Sequence, residues 1–154
     1  MSQTVLITGA SNGIGKACAR VFARKGYDLV LVARHREKLE AVKAELSEYD
    51  VNVKVVAMDL TGEDAAVDLY NNLVLDDISI DILVNNAGFG DHGAFHDSSW
   101  EKQKKMVLLN IMALMQMTYV FGQSMKLRKK GRILNVASIA GLCAGPYMST
   151  YYAT

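Results

Sequence analysis

A short apolar run, Thr4-Val5-Leu6-Ile7, breaks into Thr8-Gly9-Ala10-Ser11-Asn12-Gly13-Ile14-Gly15, after which Ala17, Val21 and Phe22 recur at helical spacing. No other feature of the chain restricts its fold as tightly. The order is strand, glycine loop, helix, with Gly26 as a helix stop. In the spacing G-x-x-x-G-x-G, one glycine permits a sharp turn after the strand. Another lets the backbone approach a pyrophosphate, and another lets the helix pack close to the sheet. The helix N-terminus then offers free N–H groups and a positive dipole end to phosphate. A glycine-rich turn without any ligand has the same local appearance; its place after the first strand of an alternating chain favours the nucleotide reading.

The alternation continues through all 154 residues. Leu29-Val30-Leu31-Val32 reads as a second buried strand. A helix from about Arg36 to Tyr49 carries Leu39, Val42, Leu46 and Tyr49 on one face. A third strand spans Val53 to Ala57, and Thr61 with Asp64 has the form of a capping box opening a third helix. Ile80 to Val84 is a fourth strand running into Asn85-Asn86-Ala87-Gly88. A polar loop from Phe89 to Asp97 precedes a helical region, capped by Ser98 or Ser99, that reaches about Lys129 with a break expected near Asn110. Arg132 to Ala137 is a fifth strand ending at Ser138, Gly141 to Pro146 is loop, and Ser149 is placed to cap one more helix. Near-continuous apolar strands separated by amphipathic helices imply a Rossmann-like, doubly wound parallel sheet in three α/β/α layers, here of about five strands in one domain, 1–154. Such sheets bind ligands at the carboxyl ends of their strands. Every polar cluster falls at such an end: residues 8–15, 33–35, 59, 85–88 and 138.

Charge and cysteine content narrow the classes further. Seventeen basic against 16 acidic residues give a net charge of +1, no electrostatic basis for binding nucleic acid or an anionic membrane. The two cysteines, Cys18 and Cys143, lack metal-ligand spacing and do not form a disulfide framework, so reduced thiols in a cytoplasmic protein are expected. Met1 to Thr4 shows no signal-peptide pattern. Met106 to Met125 is free of charge, yet Asn110, Gln116, Thr118 and Gln123 are costly against lipid. A helix buried on several sides is expected there, not a membrane span. His92 and His96, with Asp91 and Asp97, have a spacing that suits a metal only on a helix; between Gly90 and Gly93 they read as loop, and no metal site is assigned.

The end of the second strand bears on the nucleotide. An acidic residue there holds both ribose hydroxyls of NAD. This chain has Ala33 followed by Arg34, with Ser11, His35 and Arg36 near. No carboxylate repels a 2′-phosphate and a guanidinium is available to pair with it, so NADP(H) is the expected cofactor. Gly9, Ser11, Asn12, Gly13, Ile14, Gly15 and Arg34 are expected to bind it, as are Leu60, Asn86, Ala87 and Gly88. Asp59, past the third strand, suits either an adenine amino group or a helix-capping turn; both readings stand.

These motifs together resemble the short-chain dehydrogenase/reductase family over the whole chain. Thr8-Gly9-x-x-x-Gly13-x-Gly15 is similar to its cofactor motif and Asn85-Asn86-Ala87-Gly88 to its N-N-A-G motif. Asn110 matches its helical Asn, Ser138 its catalytic Ser, and Tyr151, thirteen residues on, its catalytic Tyr. The resemblance implies hydride transfer between a nicotinamide and a carbonyl or alcohol. Tyr151 would be the general acid/base, Ser138 would polarise the substrate oxygen, Asn110 would hold a water or backbone position, and Asn86 would support the cofactor side. A free phenol titrates near ~10, and a neighbouring cation favours its ionised form. In the family that cation includes a Lys four residues after the Tyr, which would follow Thr154 directly. The chain is therefore expected to be the N-terminal portion of such an enzyme. Alone it would be inactive and poorly soluble, with an uncovered sheet edge. A homodimer or homotetramer is expected for the full-length enzyme. The competing reading is a non-catalytic dinucleotide-binding sensor or scaffold. A flavodoxin-like or response-regulator-like domain shares the alternation but gives no reason for Asn85-Asn86-Ala87-Gly88. The substrate is not legible.

Overall fold

The computed structural model describes residues 2–143 and 145–154, so Ala144 of the expected 141–146 loop lies outside the described residues. Five parallel strands form one sheet: β1 (Thr4–Thr8), β2 (Asp28–Ala33), β3 (Val53–Ala57), β4 (Ile82–Asn85) and β5 (Arg132–Asn135). Their order is β3-β2-β1-β4-β5. The chain thus winds outward from β1 to β3, then crosses back to lay β4 on the other side of β1. The carboxyl ends of β1 and β4 flank that switch point, where an open α/β sheet leaves a crevice.

Strand residues alternate between two cores. Leu6, Val30, Val32 and Leu83 face one side, where α3 (Ala65–Leu75) and α5 (Leu114–Leu127) bring Leu69, Leu73, Met117, Phe121 and Met125. Tyr70 meets Phe121 edge-on at 5.5 Å on that face. Val5, Ile7, Leu29, Leu31 and Val84 face the other side, where α1 (Gly13–Arg24) and α2 (Arg36–Glu45) bring Ala19, Ala23, Leu39 and Val42. This is the three-layer, doubly wound arrangement expected from the alternation.

Several local boundaries differ from expectation. Helix α2 stops at Glu45, and Leu46 to Tyr49 form a turn in which the Tyr49 N–H donates to the Leu46 carbonyl. Leu46 still packs in the core, so its apolar periodicity outlasts the helix. The Thr61/Asp64 capping box does not form: α3 begins at Ala65, the Asp64 side chain caps nothing, and Thr61 bonds backwards to Asp59. Ser149 opens α6 (Ser149–Ala153) rather than capping it. Strand β4 is shifted, running Ile82–Asn85. Strand β5 is shorter than the expected 132–137 and is exposed, with Ile133 at 38 % and Leu134 at 48 %.

The long helical region does not break. Helix α4 (Trp100–Val107) passes through a π-helical segment, Leu108–Ala113, directly into α5. The wider turn carries Asn110. π-segments within α-helices recur at functional sites. By length and composition this Trp100–Leu127 helix is apolar enough to cross a membrane. One stripe, Met106, Ala113, Met117, Phe121 and Met125, is buried in this fold, while Met112, Met115 and Tyr119 face outward.

Candidate cofactor and active site

The carboxyl ends of β1, β2, β3 and β4 enclose a cleft of about 610 Å³, within the range typical of ligand sites. Its floor is the glycine loop. Gly9 (φ +65°) and Gly13 (φ +50°) adopt left-handed conformations that side chains disfavour. Gly15 is buried beneath the loop: a Cβ there would strike the Gly9 carbonyl and stand 2.6 Å from Asn86 Nδ2. Gly15 therefore does not line the cleft but lets α1 close against the sheet. The first turn of α1 contains no acidic residue, so its N-terminal N–H groups and dipole favour an anion.

Asn86 ties this floor to the far wall. Its Nδ2 donates to the carbonyls of Thr8 (2.9 Å) and Gly9 (3.3 Å). The backbone N–H groups of Asn86 and Ala87 donate to Thr8 Oγ1, which donates onward to the Val84 carbonyl at 3.3 Å. Asn85, on the buried side, donates to Thr118 Oγ1 (3.0 Å) and Asn135 Oδ1 (2.9 Å), linking β4 to α5 and β5.

The expected cofactor residues converge. Gly9, Ser11, Asn12, Gly13, Ile14, Arg34, Asp59, Leu60, Asn86, Ala87 and Gly88 all line the cleft. His35 lines it as well, whereas Arg36 turns aside to pair with Glu40 at 3.6 Å. Asp59 behaves as the turn residue: its Oδ1 accepts from the Thr61 N–H (3.0 Å) and Thr61 Oγ1 (2.9 Å). Burial alone would raise its pKa, but these two bonds and the cations of Arg34 and Lys105 hold it below the usual carboxylate value. Sequence reading missed Lys38 and Lys105 as lining residues. Lys38 lies in the first turn of α2, four residues after Arg34, so its signal is local. Lys105 lies far along the chain and carries no local signal.

Asn110, Ser138 and Tyr151 lie outside the cleft lining, on the segments that follow β4 and β5. Asn110 holds the loop after β4: its Oδ1 accepts the Phe89 N–H (3.1 Å), and its Nδ2 donates to the Phe89 carbonyl (3.0 Å) and to Thr154 Oγ1 (2.9 Å). The loop then reaches the segment before Tyr151. The Gly93 N–H donates to the Tyr147 carbonyl at 2.8 Å, and the His92 and Tyr147 rings lie 5.6 Å apart. Tyr147 adopts φ +63°, an uncommon conformation for a bulky residue. Gly90 lies against Tyr151, since a Cβ there would come within 3.2 Å of its ring. An ion pair between Asp91 and Lys102 fastens the same loop to α4, and it holds the Asp91 carboxyl below its ordinary pKa. Ser138 caps a 3₁₀ turn, Ile139–Gly141, by accepting the Ala140 N–H at 3.2 Å, and that turn packs against α6, which carries Tyr151.

The cleft fits a dinucleotide. Two left-handed glycines, a glycine that nothing larger can replace, and an acid-free helix N-terminus make an anion cradle, and the Arg34 side stands open beside it.

A family model described as short chain dehydrogenase matches residues 3–154. The very-long-chain 3-oxoacyl-CoA reductase of Phaeosphaeria nodorum is 36 % identical over 95 % of this chain and 44 % of its own length. The 17-beta-hydroxysteroid dehydrogenase type 3 of Mus musculus is 38 % identical over the whole chain and 51 % of its own. The chain thus spans about half the length of the curated relatives it matches. Among solved structures, a short-chain dehydrogenase from Sphingobium yanoikuyae in complex with NADPH superposes with a TM-score of 0.90 at 38 % identity, covering 98 % of this chain and 59 % of that one. A metagenomic short-chain oxidoreductase in complex with NADP gives 0.93 at 33 % identity, covering 99 % and 70 %. A 4-hydroxyisoleucine dehydrogenase complexed with NADH gives 0.89 at 29 % identity, covering 99 % and 61 %. With the glycine loop, the N-N-A-G turn and the Asn, Ser and Tyr placed as described, this chain belongs to the short chain dehydrogenase family.

Proposed function

We propose that this chain forms the cofactor-binding and partly catalytic portion of an NADP(H)-dependent oxidoreductase acting on a carbonyl or alcohol substrate. The observation that carries the cofactor choice is the end of β2. Arg34, His35 and Lys38 line the cleft there, and no carboxylate stands at that strand end to hold a 2′-hydroxyl or repel a 2′-phosphate. Relatives bound to NADPH and NADP support the same choice, while one bound to NADH shows that the fold alone does not make it.

When bound, the nicotinamide supplies or accepts the hydride. The protein's part is positioning and proton transfer. Tyr151 is assigned as the proton donor to the substrate oxygen, held from behind by the Phe89–Gly93 loop. Ser138 is assigned to polarise that oxygen; its Oγ already accepts the Ala140 N–H, which leaves its own proton to donate. Asn110 is assigned as a positioning residue, joining the loop after β4 to the C-terminal helix through Phe89 and Thr154. The proposed setting is cytoplasmic and the proposed assembly a homodimer or homotetramer.

A non-catalytic dinucleotide-binding role is the second reading, favoured by the absence of Ser138 and Tyr151 from the cleft lining. Fluorescence titration with NADPH and NADH separates the cofactor choices. NADPH is expected to bind more tightly, and Arg34→Ala to erase the difference while leaving NADH binding unchanged. Equal affinity of the unaltered chain for both cofactors would overturn the NADP assignment.

A further inference from the structure

Two opposite charges share the cleft without forming an ion pair. Asp59 stands at the carboxyl end of β3 and Lys105 on α4, and both line the same space. Lys105 is exposed and forms no ion pair among the described residues, whereas Lys102, one turn earlier on the same helix, is engaged with Asp91. The inward face of α4 carries Gln103 and Met106. Lys105 is therefore not held by the core or by an ion pair among the described residues. Leu109, four residues further on, lines the cleft beside it, so the long helix presents an apolar side chain and then a cation to the cleft mouth.

Asp59 is prepared for a second partner. Thr61 occupies Oδ1 with two hydrogen bonds, fixing the carboxylate's orientation, and Oδ2 accepts none among the described residues. An oriented carboxylate with one open oxygen, in the same cleft as an unpaired ammonium and also under the influence of the Arg34 guanidinium, is one half of a clasp.

Resting on the cofactor reading above, we infer that Lys105 and Asp59 form a latch that closes over the adenosine end of the bound dinucleotide. The aliphatic stem of Lys105 covers the base and its ammonium reaches Asp59 Oδ2, joining the third-strand end to the long helix. The latch acts on the adenosine, which NADPH and NADH share, so it tightens both equally. It differs in this from Arg34, whose proposed partner is the 2′-phosphate.

The experiment is equilibrium and stopped-flow fluorescence titration of the full chain with NADPH and with NADH, for the unaltered protein, Lys105→Ala, Lys105→Arg, Asp59→Asn and Asp59→Asn/Lys105→Ala. Lys105→Ala is expected to weaken both cofactors by about fivefold, the scale of a solvent-exposed ion pair, through faster dissociation. Lys105→Arg should restore most of the loss. In the Asp59→Asn background, Lys105→Ala should add much less than it costs alone, only the share owed to the stem over the base. A loss confined to NADPH would make Lys105 a phosphate ligand and overturn the latch. Unchanged affinity in Lys105→Ala, or fully additive losses in the double variant, would overturn it too, with the cofactor reading left standing. Failure of the unaltered chain to bind either cofactor would instead overturn the cofactor reading itself, and the latch with it.

Discussion

Thr8 and Asn86 hold each other in both directions: the Asn86 N–H donates to Thr8 Oγ1 at 2.9 Å, and Asn86 Nδ2 donates to the Thr8 carbonyl at 2.9 Å. The Ala87 N–H adds a third bond at 3.0 Å, and the hydroxyl's own proton goes to Val84. Thr8 is 2 % exposed, so water cannot replace a lost partner. The glycine loop and the N-N-A-G turn are thereby one unit, built across the β1–β4 switch point.

Thr8→Val keeps the shape and removes the hydroxyl, leaving two part-buried N–H groups without their acceptor. A loss of about 2–4 kcal/mol in unfolding free energy is expected, read by chemical denaturation. Thr8→Ser keeps the hydroxyl and should lose under about 1 kcal/mol. Similar losses in the two variants would show that the methyl group, not the hydrogen bonds, matters.

Gly13→Ala and Gly15→Ala separate strain from collision. At Gly13 (φ +50°) nothing lies within 4 Å of a new Cβ, so only backbone strain of about 1 kcal/mol is expected. At Gly15 the new Cβ meets the Gly9 carbonyl and Asn86 Nδ2, groups that cannot retreat without breaking the loop. Gly15→Ala should cost well over about 2 kcal/mol and lose cofactor binding. Thermal unfolding of the two variants in parallel checks the order.

Asn110→Leu removes three hydrogen bonds while conserving approximate volume. Faster amide hydrogen exchange is expected at Phe89, whose N–H loses its acceptor, and across 150–154, where Thr154 loses its donor. Exchange in β1 and β2 should be unchanged. A uniform rise throughout the sheet would mean that Asn110 supports the whole fold and not this loop.

Asp81 should set part of the acid sensitivity. Burial alone would raise its pKa, but the Thr4 N–H (3.1 Å), Lys130 (3.2 Å) and Arg128 (3.4 Å) outweigh it, so the folded value lies below the unfolded one. For a carboxylate shifted downward, the stabilisation is fully present above the unfolded pKa, about 3.9, and fades as pH falls from there through the folded value. Asp81→Asn should therefore lower stability at pH 7 and flatten its decline below about pH 4. Parallel stability–pH curves for both proteins would count against this.

Much of this molecule is written locally in its residues. Apolar runs of strand length, helical recurrence such as Leu39, Val42 and Leu46, and glycines at 9, 13 and 15 specify a parallel α/β chain with a phosphate cradle after β1. Each of those signals arises from the backbone freedom or the burial of neighbours a few residues apart, so it survives without coordinates. Arg34 in place of a carboxylate at the second strand end is legible for the same reason.

What the tertiary structure alone decided depends on groups that meet from far apart in the chain. The order β3-β2-β1-β4-β5 sets Thr8 beside Asn86 across 78 residues. The π-helical segment at Asn110 replaces an expected break, because the side chain must reach back 21 residues to Phe89 while the helix stays seated on the sheet. Asp59 had two readings in the sequence, and only folding showed Thr61 holding its first oxygen and leaving the second open. Lys105 had no local signal at all. Its place in the cleft comes from the docking of a helix that begins more than 40 residues after Asp59, and residue spacing along the chain does not encode such a docking.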